Sequence, residues 1–218
     1  MTDLKEFTVS SARPLPVIVL ADISGSMTVD GKIQSLNQAM REMLEAFRDE
    51  DDLRAEIHIA VITFGGGQVK RHLPLGPASS ASWSDLPAGG DTPMGAAFDA
   101  AREMIEDRTV VPGRSYRPTL VLLSDGQPTD AWQAPLTALL GSDRGGKAFR
   151  MALAIGADAD QTVLSAFLHD PEARVFRADE ARQIRRFFRF VTMSVTARSR
   201  SANPNVASKV PPDEEWDL

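Results

Sequence analysis

Oxygen-bearing side chains recur where three segments of this chain meet polar loops. Asp22, Ser24 and Ser26 follow an apolar run at alternate positions, so in an extended segment their side chains face the same way. Thr92 begins a predicted helix, and Asp125 follows another apolar run. Carboxylates and hydroxyls are the ligands that hard divalent cations accept. These five residues are therefore candidate ligands of one metal ion.

The segments around these residues alternate between strand and helix patterns. Wholly apolar runs are typical of strands buried on both faces of a parallel sheet, and apolar residues at helical spacing follow them. Predicted strands cover 17–21, 56–64, 119–123, 149–155 and 174–176, and 69–75 is a predicted short edge strand. Predicted helices cover 33–47, 94–105, 129–140, 161–168 and 178–197.

This alternation predicts an α/β fold of the Rossmann-like, doubly wound type. Its central sheet is expected to be mostly parallel, with helices on both faces and one short antiparallel edge strand. Ligands of such sheets bind beyond the carboxyl ends of the strands, near the point where the strand order reverses. The five candidate ligands are expected to converge at that edge.

The chain length favours one domain. With 218 residues, of which 43% are hydrophobic, the chain is expected to form a single core. Residues 1–13 are predicted to be a lead-in, 14–198 the folded domain, and 199–218 a disordered tail without periodicity. Trp216 lies in that tail among acidic residues, and disorder without function is the favoured interpretation.

Composition excludes several classes of function. The chain has no cysteine, which removes disulfides, thiolate metal sites and cysteine nucleophiles. A net charge of -6 argues against a broad nucleic-acid surface, and no segment stays apolar for membrane-spanning length. We therefore expect a cytoplasmic protein that binds neither nucleic acid nor membrane.

The ligand types also indicate which ion and which partner fit. Magnesium prefers about six oxygens, so three hydroxyls and two carboxylates leave coordination positions open. Because two carboxylates only neutralise a divalent ion, the metal keeps an affinity for one more anionic oxygen. We expect an Asp or Glu of a protein partner to supply it. Mg²⁺ is the leading ion, with Mn²⁺ and Ca²⁺ as alternatives.

The pattern Asp22-x-Ser24-x-Ser26, followed by Thr92 and then Asp125-Gly126, resembles the metal-ion-dependent adhesion site (MIDAS) of von Willebrand factor A domains. The resemblance covers residues 14 to about 197. It implies that the two serines and Thr92 are direct or near-direct ligands, while the two aspartates often act through water. Asp91 departs from the common Gly-Gly-Thr, and a helix cap is its favoured role.

Within that superfamily the chain resembles the bacterial tellurite-resistance TerY group. The resemblance rests on 15–17, on 124–132 and on the Phe187-Phe188 pair of the last helix. It implies a cytoplasmic adaptor of a tellurite or chemical stress response, whose relatives are associated with a protein kinase and a PP2C-like phosphatase. The five oxygen ligands, together with the lack of a candidate catalytic base, make a metal-dependent protein-interaction module without enzymatic activity the leading hypothesis.

Two other functions remain open. A magnesium-dependent phosphotransferase or phosphatase also places an Asp after its first strand, but such phosphatases need a second Asp where this chain has Ser24. A regulatory substrate of an associated kinase is the other alternative, with Ser199, Ser201 and Ser208 as accessible serines in the predicted tail.

Other polar residues are assigned structural roles. His58 alternates with strand apolar residues and the remaining histidines lie in loops, so none is expected to be catalytic. Arginines of the last predicted helix share one face, which favours a solvated basic face opposite buried aromatic residues, with partner docking as the alternative. These arginines are Arg182, Arg185, Arg186 and Arg189.

Overall fold

The computed structural model describes residues 12–50 and 54–207. The strands of this part are β1 (Arg13–Asp22), β2 (Ala55–Gly65), β3 (Gln68–Pro77), β4 (Thr119–Ser124), β5 (Phe149–Ile155) and β6 (Phe176–Ala178). Its α-helices are α1 (Lys32–Arg48), α2 (Met94–Glu106), α3 (Gln133–Gly141), α4 (Gln161–Leu168) and α5 (Ala181–Arg200).

The strands form one sheet in the order β3-β2-β1-β4-β5-β6. All neighbouring pairs are parallel except β2 with β3, which are antiparallel. The predicted doubly wound α/β fold is therefore confirmed. The order reverses between β1 and β4, so the carboxyl ends of these two strands flank the expected ligand position.

Strand β1 is apolar throughout because both faces of the sheet are covered. Val17 and Val19 belong to the core beneath α1 and α5, whereas Ile18 and Leu20 belong to the core beneath α2, α3 and α4. Alternate side chains of a strand point to opposite faces. Two helix layers therefore require apolar residues at every position.

The predicted starts of three elements in the second half of the chain were wrong. The last strand covers Phe176–Ala178 instead of 174–176, because Phe176 pairs with Leu153 of β5. Helix α5 begins at Ala181, where Glu180 and Gln183 form a capping box, and not at Ala178. Helix α3 begins at Gln133, four residues after the predicted start.

The closing helix also extends further than predicted. It ends at Arg200, so Ser199, the first residue of the predicted tail, lies inside it and is fully buried. Residues 201–207 pack against the domain through Pro204 and Asn205, which bond to two arginines. The rest of the predicted tail, 208–218, lies outside the described residues, as do 1–11 of the lead-in.

The edge strand β3 has ten residues, and thus is longer than the short strand predicted over 69–75. It pairs with β2 antiparallel, as expected. Within the described ranges, none of the helices combines the length and the apolar character that crossing a bilayer requires.

Candidate metal site

Asp22 ends β1 and is completely buried. Its Oδ1 accepts a hydrogen bond from the Ser24 amide at 2.8 Å, and its Oδ2 accepts one from the Ser124 hydroxyl at 2.5 Å. Burial raises the pKa of Asp22 from 3.8 to about 6, although the bonds from Ser124 and Ser24 oppose the rise. The site thus holds a carboxylate that is costly to ionise without a cation.

A chain of hydrogen bonds joins three of the predicted residues. The hydroxyl oxygens of Ser24 and Ser26 lie 3.0 Å apart, and the Ser26 hydroxyl donates to Asp125 Oδ1 at 2.6 Å. Asp125 follows β4 directly and its side chain is fully buried. Residues from two different loops therefore meet in one polar cluster.

Lys32 places a positive charge in contact with this cluster. Its ammonium group donates to Asp125 Oδ2 at 2.8 Å, and the lysine side chain is 18% exposed. One oxygen of Asp125 thus accepts a hydrogen bond from the Ser26 hydroxyl, and the other accepts one from Lys32. Sequence reasoning missed this lysine because it belongs to α1 and to no motif.

Thr92 reaches the same place from a third loop, which the loop after β4 holds in position. The Thr92 amide donates to the Thr129 hydroxyl at 3.1 Å, and the Thr129 amide donates to the Thr92 carbonyl at 2.9 Å. A Cβ built on Gly126 would lie 3.7 Å from both the Thr92 and the Ser26 hydroxyl oxygens. All five predicted ligands therefore lie around one point.

Asp91 was predicted to cap α2, and that prediction was wrong. The helix begins at Met94, and Asp130 from the next loop accepts hydrogen bonds from the amides of Gly95 and Ala96 at 2.8 and 2.9 Å. A Cβ on Gly95 would lie 2.6 Å from the Ala131 carbonyl oxygen, so only glycine permits this contact. Asp91, which the sequence favoured as a cap, is exposed instead.

Close packing of glycine loops supports the site from the side of β2. The Gly25 amide donates to the Gly90 carbonyl at 3.0 Å, and the Gly89 amide donates to the Ile23 carbonyl at 2.8 Å. Gly90 has a φ of +73°, and a Cβ there would lie 2.8 Å from the Gly66 amide. The Gly65-Gly66-Gly67 turn and the Thr92 loop are thereby fixed against the loop that carries the serines.

Residues assigned structural roles lie away from this cluster. His58 bonds to Glu56 at 2.7 Å, and His72 bonds to the Ser84 carbonyl at 2.9 Å. On α5, Phe187 is fully buried while Arg185 pairs with Glu42 of α1 at 2.7 Å. The predicted division of α5 into a basic and a buried aromatic face is confirmed.

The candidate ligands are all oxygens, which suits a hard cation. Thr92 Oγ1 has no hydrogen bond to any residue that the structure describes, so both of its lone pairs are available. Ser26 is exposed and the other four residues are buried, which opens the cluster to solvent on one side. Such an arrangement can hold a cation while leaving it accessible from outside.

Comparisons with known proteins agree with this architecture. The family model of the von Willebrand factor type A domain matches residues 17–127, just over half of the chain. No curated protein sequence gives a significant match. Because the matched residues contain Asp22, Ser24, Ser26, Thr92 and Asp125, the family match spans all the candidate ligands.

Solved structures resemble the chain in fold. The pilus adhesin SpaC from Lactobacillus rhamnosus GG has a TM-score of 0.70 at 15% identity, covering 87% of this chain and 31% of its own. A von Willebrand factor type A protein from Catenulispora acidiphila has a TM-score of 0.66 at 18% identity, with 85% and 43% covered.

A third similar structure is described with a metal. Proximal thread matrix protein 1 from the mussel byssus, with a zinc-occupied MIDAS motif, has a TM-score of 0.62 at 18% identity. The match covers 83% of this chain and 48% of that protein. This chain thus spans less than half the length of each of the three solved chains, and at these identities the likeness shows the fold alone.

Proposed function

This chain belongs to the von Willebrand factor type A domain family, and we propose that it is a non-enzymatic, metal-dependent protein-interaction module. Its cation is held by Asp22, Ser24, Ser26, Thr92 and Asp125. The observation that carries the proposal is the convergence of oxygen side chains from three loops, with hydrogen bonds from Ser24 to Ser26 and from Ser26 to Asp125.

The donor set favours Mg²⁺ as the resident ion. Two carboxylates and three hydroxyls are hard oxygen donors, which suit Mg²⁺ better than a soft metal. A bound cation would also stabilise the buried Asp22 carboxylate, whose pKa burial raises to about 6 in the metal-free protein. Mn²⁺ shares this ligand preference, and zinc fills the MIDAS of the mussel protein.

A carboxylate of a protein partner completes the coordination in this proposal. Two aspartates only balance the charge of a divalent ion, and hydroxyls are neutral donors. Lys32 already pairs with Asp125, which withdraws part of that negative charge from the metal. A metal in this environment attracts one more anionic oxygen, and an exposed Asp or Glu of a partner provides it.

Two observations argue against the alternative functions. Asp22 is fully buried and both of its oxygens accept hydrogen bonds, which disfavours it as a nucleophile toward a phosphate ester. Ser199, one of the expected phosphorylation sites, is buried in α5 and donates to the Thr196 carbonyl at 2.8 Å. An interaction module needs neither group to be reactive.

The proposed biological setting is cytoplasmic and follows the TerY-like residues. The segment 124–132 of that resemblance is the loop that holds Thr92 through Thr129 and caps α2 through Asp130. We assign the module to a bacterial tellurite or chemical stress response, with a protein kinase and a PP2C-like phosphatase as associated proteins.

Metal-dependent capture tests this function. The full chain is immobilised and incubated with the candidate kinase or phosphatase in buffer with Mg²⁺ or with EDTA. We expect capture only with Mg²⁺, and at least about tenfold weaker capture by Ser24→Ala, which removes a ligand. Ser165→Ala, at an exposed position of α4, is the matched control. Equal capture with Mg²⁺ and with EDTA would refute the metal-dependent mechanism.

A further inference from the structure

A cluster of positively charged side chains lies at the amino ends of the parallel strands, opposite the carboxyl ends that carry the candidate metal site. A cleft of about 520 Å³ opens beside the first residues of β4 and β5, and Arg117, Arg150 and Arg198 line it. Phe149 and Phe190 contribute apolar surface to the same cleft. This combination suits a ligand that is both acidic and aromatic.

Two of these arginines are fixed around one aromatic ring. The guanidinium carbons of Arg198 and Arg117 lie 4.1 and 4.5 Å from the centre of the Phe149 ring. Arg198 is only 3% exposed and donates to the Thr119 hydroxyl and to the Arg117 carbonyl. Burial lowers the pKa of Arg198 to about 10, with the charge of Arg117 adding to the effect, so it stays protonated at neutral pH.

These charges have no anionic partner in the part of the chain that the structure describes. None of the three guanidiniums forms an ion pair with a described carboxylate, and Arg150 Nε is buried without a hydrogen-bond acceptor. Asp170 also lines the cleft, but its Oδ1 accepts from the Glu172 amide at 2.9 Å. A buried charge is normally paired with an opposite charge, whereas the described hydrogen-bond acceptors of the buried Arg198 are all neutral oxygens.

The chain itself leads to this cleft. The Pro204 carbonyl accepts from Arg198 Nε at 2.9 Å, and Asn205 Oδ1 accepts from the Arg117 amide at 2.8 Å. Ala207, the last described residue, lines the cleft. The described part of the chain therefore ends at the cleft.

The residues beyond Ala207 carry the complementary chemistry. Trp216 lies among Asp213, Glu214, Glu215 and Asp217. Five residues separate Ala207 from Asp213, and the six Cα-to-Cα steps between them span up to about 20 Å. Four acidic residues and one indole match three arginines beside apolar surface.

We propose that the arginine cleft binds the acidic, Trp216-bearing segment 213–217 of the same chain. The carboxylates pair with Arg117 and Arg150, and the indole packs on the apolar lining. A short tether raises the effective concentration of such a segment to the millimolar range, so weak ion pairs suffice for occupancy. The segment and the metal site act at opposite edges of the sheet.

A competition experiment tests this assignment with the full chain. The tail is neutralised by Asp213→Asn, Glu214→Gln, Glu215→Gln and Asp217→Asn, and a fluorescent synthetic peptide of sequence 208–218 is titrated in. We expect the neutralised chain to bind the peptide, and the wild type to bind it at least about tenfold more weakly because its own segment occupies the cleft.

Arginine substitutions in the chain with the neutralised tail test whether the peptide binds in the cleft. Arg150→Met is expected to weaken peptide binding at least about tenfold, and Arg117→Gln replaces it if that chain does not fold. Arg182→Gln, at an exposed position early in α5, is the matched control and is expected to leave binding unchanged.

Three outcomes would overturn the proposal. The neutralised chain fails to bind the peptide, the wild type binds it equally well, or Arg150→Met and Arg182→Gln behave alike. Titration with inorganic phosphate tests whether the cleft binds a free anion instead of the tail segment. Phosphate binding that requires Arg150, without peptide binding, would assign the cleft to a free anion and reject the tail segment.

Discussion

The two edges of the central sheet carry opposite chemistry. At the carboxyl edge, Asp22 and Asp125 are buried among hydroxyls, and Lys32 is the only described residue that forms an ion pair with either of them. At the amino edge, Arg198 is buried beside two further arginines without a described acidic partner. An excess of one charge at each edge indicates a ligand of the other sign, a cation at the first and an acidic group at the second.

The distance between the edges makes the two regions separable by mutation. Strand β4 runs from Thr119, beside the arginines, to Ser124, beside Asp22. The five steps of about 3.3 Å between these two residues span about 17 Å, which is beyond the screening length of about 8 Å at physiological salt. Substitutions at one edge are therefore expected to leave binding at the other edge unchanged.

The largest effect is expected for Arg198→Met. This change removes donors to Thr119, to the Arg117 carbonyl and to the Pro204 carbonyl, and it frees the segment after α5. We expect the free energy of unfolding in urea to fall by about 3 kcal/mol because buried acceptors lose their partners. Arg189→Met, at an exposed position of α5, is the control.

The affinity for Mg²⁺ is a second quantity to measure for Arg198→Met. The variant is expected to retain the wild-type affinity for Mg²⁺, since the metal site lies at the other edge. A loss of stability below about 1 kcal/mol would show that the buried arginine contributes little, and a loss of Mg²⁺ affinity would show that the edges are coupled.

The second effect is on the pH dependence of the free energy of unfolding of the metal-free protein. The folded-state pKa of Asp22, about 6, lies above the ordinary 3.8 because burial disfavours the carboxylate. The stabilising contribution of protonated Asp22 is fully present below pH 3.8 and is lost as the pH rises through 6. Between these limits the wild type should lose up to about 3 kcal/mol relative to Asp22→Asn, which does not ionise.

Urea unfolding at several pH values in EDTA measures this difference. A difference between wild type and Asp22→Asn that stays constant from pH 4 to pH 7 would contradict a raised pKa. Saturating Mg²⁺ should reverse the order above pH 6, because the wild type gains binding energy that the variant lacks.

A smaller effect is expected for Lys32→Met. Removing the ammonium group beside Asp125 Oδ2 returns negative charge to the site, so Mg²⁺ affinity should rise about tenfold, or about 1.4 kcal/mol. Isothermal titration calorimetry measures this Mg²⁺ affinity. Lys147→Met, which breaks an exposed pair with Asp143, is the control. Unchanged or weaker Mg²⁺ binding would show that Lys32 does not compete with the metal.

The convergence of the five candidate residues was predictable from the sequence because strand ends are local signals. Asp22 and Asp125 follow apolar runs of parallel strands, and the carboxyl ends of such strands meet at one edge. The pairing of β1 with β4 then brings Ser124 beside Asp22. Alternation of strands and helices was likewise sufficient for the fold class.

Contacts between distant segments were not predictable in this way. Thr129 and Asp130 have the composition of a helix start, yet in the structure they hold Thr92 and cap α2 from 34 to 37 residues away. Lys32 and Arg198 are ordinary helix residues in sequence. Their roles depend on which loops pack against them, and periodicity contains no information about that packing.

The central claim is that five oxygen side chains at the carboxyl edge hold a divalent cation. Calorimetric titration of Mg²⁺ into the metal-free full chain, with Thr92→Val beside it, tests this claim most directly. Valine keeps the shape of threonine and removes only the hydroxyl, which has no other described hydrogen bond. We predict one bound Mg²⁺ for the wild type and at least about tenfold weaker binding for Thr92→Val. Absence of Mg²⁺ binding to the wild type, or equal binding by both chains, would contradict the account.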